Sequence, residues 1–237
     1  MIWILDFKSS TAVWDEMKTQ GCVYAKVWNR YNAIDNGRYA ERAGILRLDK
    51  ETGLPDDPPI TDCTNEIETR WEAFIRLREY YKLMIEPELS DKKKERFYKH
   101  NGKKFPTVTT ILGILDKPAL VQWSANMVVK YVRENIKEMI TDEQIEYHLK
   151  KARSNFREVS KKAMDIGSIV HDAIHAYLSG ADYNKVIGNN DKATNSFLAF
   201  LDWADKVKIE PIALEKVLID EEYEFGGTVD FIGKLEY

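Results

Sequence analysis

The chain has 237 residues, of which 44% are hydrophobic and 31% charged, and its formal net charge is −4. This length and composition are ordinary for a globular protein with a substantial core. No apolar run approaches the ~20 residues that a membrane helix needs, and Met1-Ile2-Trp3-Ile4-Leu5 lacks the basic prefix of a secretory signal. We therefore expect an intracellular, cytoplasmic protein with no membrane partner.

The cysteine content excludes one kind of cofactor. Cys22 and Cys63 are too few for a disulfide framework or for a metal site made of four cysteines. An iron–sulphur cluster is held by four cysteine thiolates, so we expect no such cluster.

Residues 1–83 predict strands and helices in alternation. Residues 2–7 form an apolar, β-rich run that predicts a strand, and residues 11–32 predict a helix. Residues 45–48 alternate like a strand, and the glycines and prolines that follow predict a loop. Apolar residues at helical spacing then predict a helix that ends near residue 83. The charged segment 84–105 is typical of a linker.

The rest of the chain is predicted to be mainly helical before a final pair of strands. Helices are predicted over 107–115, 118–138, 142–163, 164–179 and 190–206. A strand over 211–219 leads to a turn before Gly226, and Thr228-Val229 begins a further strand. These elements predict an α/β protein with a mixed central β-sheet flanked by α-helices.

Two of the predicted strands each carry an acidic residue within an apolar run. Asp6 follows residues 2–5, Asp230 follows Thr228-Val229, and an aromatic residue comes after each. An unpaired carboxylate on a buried strand is costly, and a divalent cation is one way to neutralise it. Lys8 projects to the same face as Asp6, because strand side chains repeat with period two. A lysine there can hold the attacking water or offset charge on a phosphate.

Five short motifs point to one family. They are Gly167-Ser168-Ile169-Val170-His171 (G-x-x-x-H), Gly227-Thr228-Val229-Asp230 (G-x-x-D), Asp6-Phe7-Lys8 ((D/E)-x-K), Gln20-Gly21-Cys22-Val23-Tyr24 (Q-x-x-x-Y) and the opening segment from Phe105 to Leu112. In this set the chain resembles the PD-(D/E)XK nuclease superfamily, specifically its RecB-like and phage-exonuclease branch. The resemblance implies a restriction-endonuclease-like core.

The order of the motifs departs from that of the family, where (D/E)-x-K and Q-x-x-x-Y come last. Here they come first, which indicates a circular permutation: residues 1–83 correspond to the usual C-terminal part, 84–105 to a linker and 106–237 to the usual N-terminal part. A reordered, engineered sequence is equally compatible. In either case we expect one nuclease domain, 1–237, whose first and last strands are adjacent and antiparallel.

The resemblance implies metal-dependent hydrolysis of DNA, with an exonuclease of recombination or repair favoured over an endonuclease. It also implies one or two Mg²⁺ or Mn²⁺ ions, held by His171, Asp230, Asp6 and the backbone carbonyl of Phe7. Glu215 resembles the family's upstream acid, although an ordinary surface glutamate explains it equally well.

Three residues are expected to act beside the cation. Lys8 would position the water or offset charge on the phosphorus. Gln20 and Tyr24 would orient Lys8 or the scissile strand, although a polar and an aromatic residue facing the core would give the same pattern.

Local charge favours nucleic acid more than the net charge does. Lys150, Arg153, Arg157 and Lys161 recur every three or four residues, which places them on one face of the helix that leads into G-x-x-x-H. We expect this face to bind DNA, with single strands or free ends favoured, because phosphate neutralisation supplies most non-specific affinity. A merely solvated face is the alternative.

Two other functions fit parts of the sequence. One is a catalytically inactive DNA-binding module on the same fold. The other is a different metallohydrolase built on His171 and His175, which form H-x-x-x-H. Asp172 stands where the zinc-protease pattern has glutamate, and no third nitrogen or sulphur ligand follows at zinc spacing.

Overall fold

The computed structural model describes residues 1–32, 37–86, 97–115 and 117–236. They form two compact units, Met1–Ile114 together with Ile169–Tyr237, and Leu115–Ser168. The predicted boundaries at residues 83 and 105 stay predictions, and residues 87–96 of the expected linker lie outside the described residues. None of the described helices combines the length and apolar character needed to cross a membrane.

The first unit is built on a five-stranded mixed sheet. The strands in chain order are β1 (Ile2–Lys8), β2 (Arg42–Leu48), β3 (Pro55–Asp62), β4 (Phe97–His100), β5 (Lys103–Pro106), β6 (Lys208–Asp220) and β7 (Phe225–Glu236). The main sheet has the order β3-β2-β1-β7-β6, whereas β4 and β5 pair with each other in a separate hairpin. Strand β1 is parallel to β2 and antiparallel to β7, so the sheet is mixed as expected.

The expected pairing of the first and last strands is confirmed. In the β1–β7 ladder, Ile2 lies opposite Lys234 and Leu5 lies opposite Phe231. The ladder with β7 ends at Leu5, while β1 continues beside β2 as far as Lys8. The segment Asp6–Lys8 is therefore no longer paired with β7. The separation of the two strands begins at Asp6 on β1 and at Asp230 on β7.

Helices of the first unit flank the sheet. The described helices of both units, in chain order, are α1 (Asp15–Val27), α2 (Ile67–Tyr80), α3 (Val108–Leu112), α4 (Pro118–Asn135), α5 (Asp142–Leu178), α6 (Asn184–Ile187) and α7 (Asp191–Ala204). One π-helical turn follows α1 at Trp28–Asn32 and another follows α2 at Tyr81–Ile85. Short 3₁₀ turns lie at Thr64–Glu66 and Ile136–Glu138. The second unit contains α4 and the first part of α5.

Three local predictions are corrected. The two helices predicted over 142–163 and 164–179 are one helix, α5, because a glycine costs a helix only ~1 kcal/mol and neither a proline nor a cap interrupts this stretch. The loop predicted after residue 53 contains β3, whose prolines are tolerated because β3 is an edge strand. Residues 97–106, mostly in the predicted linker, form the β4–β5 hairpin.

The apolar core packs on both sides of β1. Ile2 and Ile4 join Val23 and Val27 of α1 in one buried cluster. The ring of Phe7 packs instead near Phe200 of α7 and Phe231 of β7, with centroid distances of 6.0 and 6.3 Å. Because successive strand side chains point to opposite faces, this packing directs Asp6 and Lys8 toward the α1 side.

A close approach of α1 to β7 depends on Gly227. The ring of Tyr24 lies so near that a Cβ atom added at Gly227 would be 2.3 Å from Tyr24 Cε1 and 2.7 Å from Tyr24 Oη. A contact this short requires the ring or the backbone to move. Gly227 of G-x-x-D therefore makes room for Tyr24 of Q-x-x-x-Y.

The substitution Gly227→Ala is expected to lower the free energy of unfolding by about 1–3 kcal/mol, the usual cost of overpacking. Gly21→Ala is the matched control, because a Cβ there would make only ordinary contacts, 3.6 Å from Ile45 Cδ1 at the nearest. In a helix interior that control should be neutral or gain up to ~1 kcal/mol. Urea unfolding of both variants measures the difference, and equal stabilities would contradict it.

Candidate active site

Three potential metal ligands from three different elements converge. His171 of α5, Glu215 of β6 and Asp230 of β7 each offer one ligand atom, and these atoms lie within 4.8 Å of one another. Carboxylates are ligands that Mg²⁺ and Mn²⁺ prefer, and imidazole adds a nitrogen donor. The chemistry of this donor set therefore fits a divalent cation.

Asp230 is held at the centre of this group. Its side chain is only 10% exposed, Oδ2 accepts a hydrogen bond from the backbone N–H of Phe7 at 2.7 Å, and Oδ1 lies 3.5 Å from His171 Nδ1. The N–H of Phe7 is free to make this bond because the ladder to β7 has ended at Leu5. Burial raises the pKa of Asp230, but His171, Lys8 and the Phe7 N–H outweigh it and leave the pKa lowered. Asp230 is therefore ionised at neutral pH.

His171 contacts both Asp230 and the backbone of β1. Its Nε2 lies 2.8 Å from the carbonyl oxygen of Phe7, which accepts the hydrogen bond when that nitrogen is protonated. Burial lowers the pKa of His171, but the Asp230 carboxylate raises it by more than burial lowers it, so the net shift is upward. The Phe7 carbonyl, one of the predicted ligands, thus lies directly beside the predicted imidazole ligand.

Asp6 lies next to this group without belonging to it. Its side chain is 1% exposed, Oδ2 is 2.6 Å from Lys8 Nζ, and Oδ1 accepts a hydrogen bond from Gln20 Nε2 at 3.4 Å. The contact with Lys8 is an ion pair rather than a well-directed hydrogen bond. Burial and the charge of Asp230 raise the pKa of Asp6 to about 6, although Lys8 and His171 lower it. The structure therefore brings Asp6 to the site mainly as the partner of Lys8.

Lys8 keeps its positive charge in this environment. Burial lowers its pKa, but Asp6 and Asp230 raise it more, so the net shift is upward. A lysine that stays protonated is a poor general base. Lys8 is suited instead to holding negative charge that develops beside it.

Of the two residues of Q-x-x-x-Y, Gln20 contacts Asp6 and Tyr24 contacts Gln20. Gln20 Nε2 donates to Asp6 Oδ1 and, at 3.1 Å, to the hydroxyl oxygen of Tyr24. They are one turn apart on α1, which places both side chains on the face toward β1. Burial and the charge of Asp6 raise the pKa of Tyr24, which therefore stays neutral. This pair orients Asp6, and through Asp6 it orients Lys8.

Glu215 reaches the site through an unusual backbone conformation. It lies between Leu214 and Lys216, which pair with Phe231 and Val229, so it stands opposite Asp230. Its φ of +46° is left-handed, which costs a residue with a Cβ roughly 1–2 kcal/mol. Burial and the charge of Asp230 raise the pKa of Glu215, whereas His171 lowers it. No sequence pattern predicts this conformation. For that reason the sequence alone does not decide whether Glu215 is a metal ligand or a surface glutamate.

The remaining predicted residues lie outside the group. His175 is exposed one turn beyond His171 and does not belong to the described ligand group. The four basic residues of the predicted DNA-binding face are all exposed on α5 in the second unit: Lys150, Arg153, Arg157 and Lys161. Among the described residues, no acidic side chain forms an ion pair with any of the four. Their charges are therefore available to a ligand.

Comparisons with protein-family models, curated proteins and solved structures found no match to this chain.

In the metal-free protein, the Asp6 carboxyl is expected to titrate near pH 6, and Lys8→Met should raise that pKa further because Lys8 lowers it. Between the ordinary value of 3.8 and about 6, the folded protein binds the extra proton. This group's contribution to the free energy of unfolding therefore falls as the pH rises through that window. Carbon-13 NMR of the aspartate carboxyls measures the pKa.

Asp49 is the internal control for that titration. Backbone N–H groups of Glu51 and Thr52 and the charge of Arg47 lower its pKa, and none of these interactions involves the Lys8 ammonium. Its titration should be unchanged by Lys8→Met. An Asp6 pKa at or below its ordinary value would contradict the burial argument.

Glu215→Asn is expected to raise the free energy of unfolding by up to ~1 kcal/mol, because asparagine tolerates the left-handed region better. The same change should weaken Mn²⁺ binding on the order of tenfold or more. Isothermal titration calorimetry and urea unfolding give the two values.

Glu224→Asn is the matched control for this change. Glu224 also has a positive φ, +56°, but it pairs with Lys82 and Lys103 on the β6–β7 turn. The Glu224→Asn variant should bind Mn²⁺ with the same affinity as the unmodified protein. Equal Mn²⁺ affinity in the Glu215 variant and the unmodified protein would exclude Glu215 as a ligand.

Proposed function

We propose that this protein is a divalent-metal-dependent DNA nuclease, with exonuclease action in recombination or repair favoured. The observation that carries the proposal is the meeting of His171, Glu215 and Asp230 beside a buried Asp6–Lys8 ion pair. Hydrolysis of a phosphodiester needs both a cation for the attacking oxygen and fixed positive charge for the phosphate. Here the residues that would hold the cation lie beside a lysine that would supply the fixed charge.

The placement of the motifs supports membership of the PD-(D/E)XK superfamily in a permuted order. G-x-x-D lies on β7 and (D/E)-x-K lies on β1, and these strands are adjacent and antiparallel. Q-x-x-x-Y lies on α1, the helix that follows β1, and G-x-x-x-H lies on α5. These motifs, although they come from distant parts of the sequence, contribute residues to one group of contacts, and this supports the proposed family assignment.

The donor set also indicates which residues would hold the cation. Asp230, Glu215 and His171 would bind Mg²⁺ or Mn²⁺, with the Phe7 carbonyl beside them. A bound cation of this kind supplies a hydroxide at neutral pH and polarises the phosphate. The preference for Mg²⁺ or Mn²⁺ over zinc rests on the two carboxylates.

The chain's own residues would do the remaining work. The Lys8 ammonium would offset charge on the phosphate as water adds to phosphorus and the bond to one sugar oxygen breaks. Asp6 fixes that ammonium, and Gln20 fixes Asp6. Asp230 fixes the Phe7 N–H and so holds β1 in register with the ligand group. Each contact reduces the reorganisation required during the reaction.

We propose DNA as the substrate and place its backbone contacts on the second unit. Lys150, Arg153, Arg157 and Lys161 are exposed and without described acidic partners, so they can replace counterions along a phosphate backbone. Binding through these residues should weaken steeply as the salt concentration rises.

The test is degradation of end-labelled DNA, linear and circular, single- and double-stranded, with Mg²⁺ or Mn²⁺. Metal-dependent loss of linear DNA alone is expected, because exonucleases need an end. EDTA, Asp230→Ala and Lys8→Ala should each abolish cleavage or reduce it by on the order of 100-fold or more, as loss of one transition-state charge contact does.

Glu210→Gln is the matched control for that test. Glu210 is an acidic residue of β6, like Glu215, but it is exposed and pairs with Lys208. The Glu210→Gln variant should cleave DNA at the same rate as the unmodified protein. Cleavage of circles would identify an endonuclease, and DNA binding without any cleavage would replace the proposal with an inactive binding module.

A further inference from the structure

A tryptophan is exposed in the segment that joins Lys8 to α1. The Trp14 side chain is 44% exposed, and no described residue makes a ring contact or a side-chain hydrogen bond with its indole. Tryptophan is highly buried on average in folded proteins, whereas this residue leaves part of its apolar surface in contact with solvent. That surface is available to a planar ligand.

Two arginines fix the backbone on either side of Trp14. Before it, Arg47 Nη1 donates to the carbonyl oxygens of Ser10 and Thr11 at 3.1 and 3.4 Å. After it, Arg70 donates to the carbonyl oxygen of Asp15 at 3.1 Å and to its carboxylate at 3.0 Å. Both arginine side chains are only 16% exposed. The indole is therefore presented on a held segment, which lowers the entropy cost of binding a ligand there.

Trp14 lies on the segment that leaves the sheet directly after Lys8, six residues beyond it in the chain. Lys8 is the last residue of β1, and β1 is parallel to β2, so their carboxyl ends share one edge. Ligands of open α/β sheets bind beyond that edge. Gln20, which contacts Asp6, is six residues after Trp14, and the helical rise separates them by about 9 Å along α1.

We propose that Trp14 stacks on an unpaired nucleobase of the strand whose phosphate lies at Lys8. This inference rests on the proposed nuclease function and assigns the expected preference for single strands to a particular residue. A base in a duplex already stacks on its neighbours, whereas an unpaired base gains from an indole surface. Because any base can stack on an indole, the contact favours single-stranded over double-stranded DNA and does not discriminate between base sequences.

The experiment measures binding in EDTA, where no strand can be cleaved. The probes are a fluorescein-labelled oligothymidylate of about 12 nucleotides and its abasic counterpart of equal length, followed by fluorescence anisotropy. The variants are Trp14→Ala and Trp14→Phe. Trp14 makes no side-chain cap hydrogen bond to α1, so neither change removes a helix cap.

Tyr80→Ala is the matched control. Tyr80 is an exposed aromatic residue, 53% accessible, at the end of α2. It lies ten residues beyond Arg70, or about 15 Å along the helix axis. Its loss removes exposed aromatic surface from the same unit without touching the segment that carries Trp14.

Trp14→Ala is expected to weaken oligothymidylate binding by about 5- to 150-fold, the range for loss of one stacked base. It should leave binding of the abasic strand unchanged. Trp14→Phe should recover most of the loss, and Tyr80→Ala should weaken neither probe.

Equal weakening of both probes by Trp14→Ala, or no weakening, would overturn the inference, as would an unmodified protein that binds neither strand. Cleavage is scored separately with Mn²⁺. A protein that discriminates the probes through Trp14 but never cleaves DNA would refute the nuclease while leaving the stacking surface.

Discussion

Two carboxylates lie in the interior where β1 separates from β7, and burying such charges costs several kcal/mol each unless they are compensated. The surrounding structure supplies that compensation. Lys8 and Gln20 approach Asp6, while His171 and the Phe7 N–H approach Asp230. The two carboxylates and the groups that contact them come from four elements: strands β1 and β7 and helices α1 and α5. Together these elements stabilise the negative charge of the two buried carboxylates.

The environments of the two carboxylates push their pKa values in opposite directions. Asp230 is held ionised by His171 and a backbone N–H, whereas burial raises the pKa of Asp6 to about 6. Acidic pairs separated in this way commonly divide the chemical work between them. Here Asp230 is the carboxylate suited to a cation, and Asp6 is the one that fixes a lysine. The proposed mechanism uses that division.

Elements with a strong local pattern could be predicted from the sequence. The apolar runs of β1 and β7 and the placement of Gln20 and Tyr24 on the helix after Lys8 are found, and so is the adjacency of β1 and β7, which the family resemblance implied. The strand β3 was missed because its prolines are typical of loops, and only its position at the sheet edge permits them. The approach of Glu215 depends on a left-handed backbone within the β6–β7 ladder, and no local pattern in the sequence indicates that conformation. Its identity as a candidate could be predicted, but its geometry could not.

The contact between Phe7 and Asp230 joins residues that are 223 positions apart. At a ribosomal rate of ~5–20 residues per second, about 11 to 45 seconds separate the synthesis of the two. Throughout that interval the nascent chain carries Asp6 and Lys8 without the strand that completes the ligand group. Long-range strand pairing is also slow to form. A chain cut short before β7 therefore lacks Asp230 and the assembled ligand group, and with them the basis of the proposed activity.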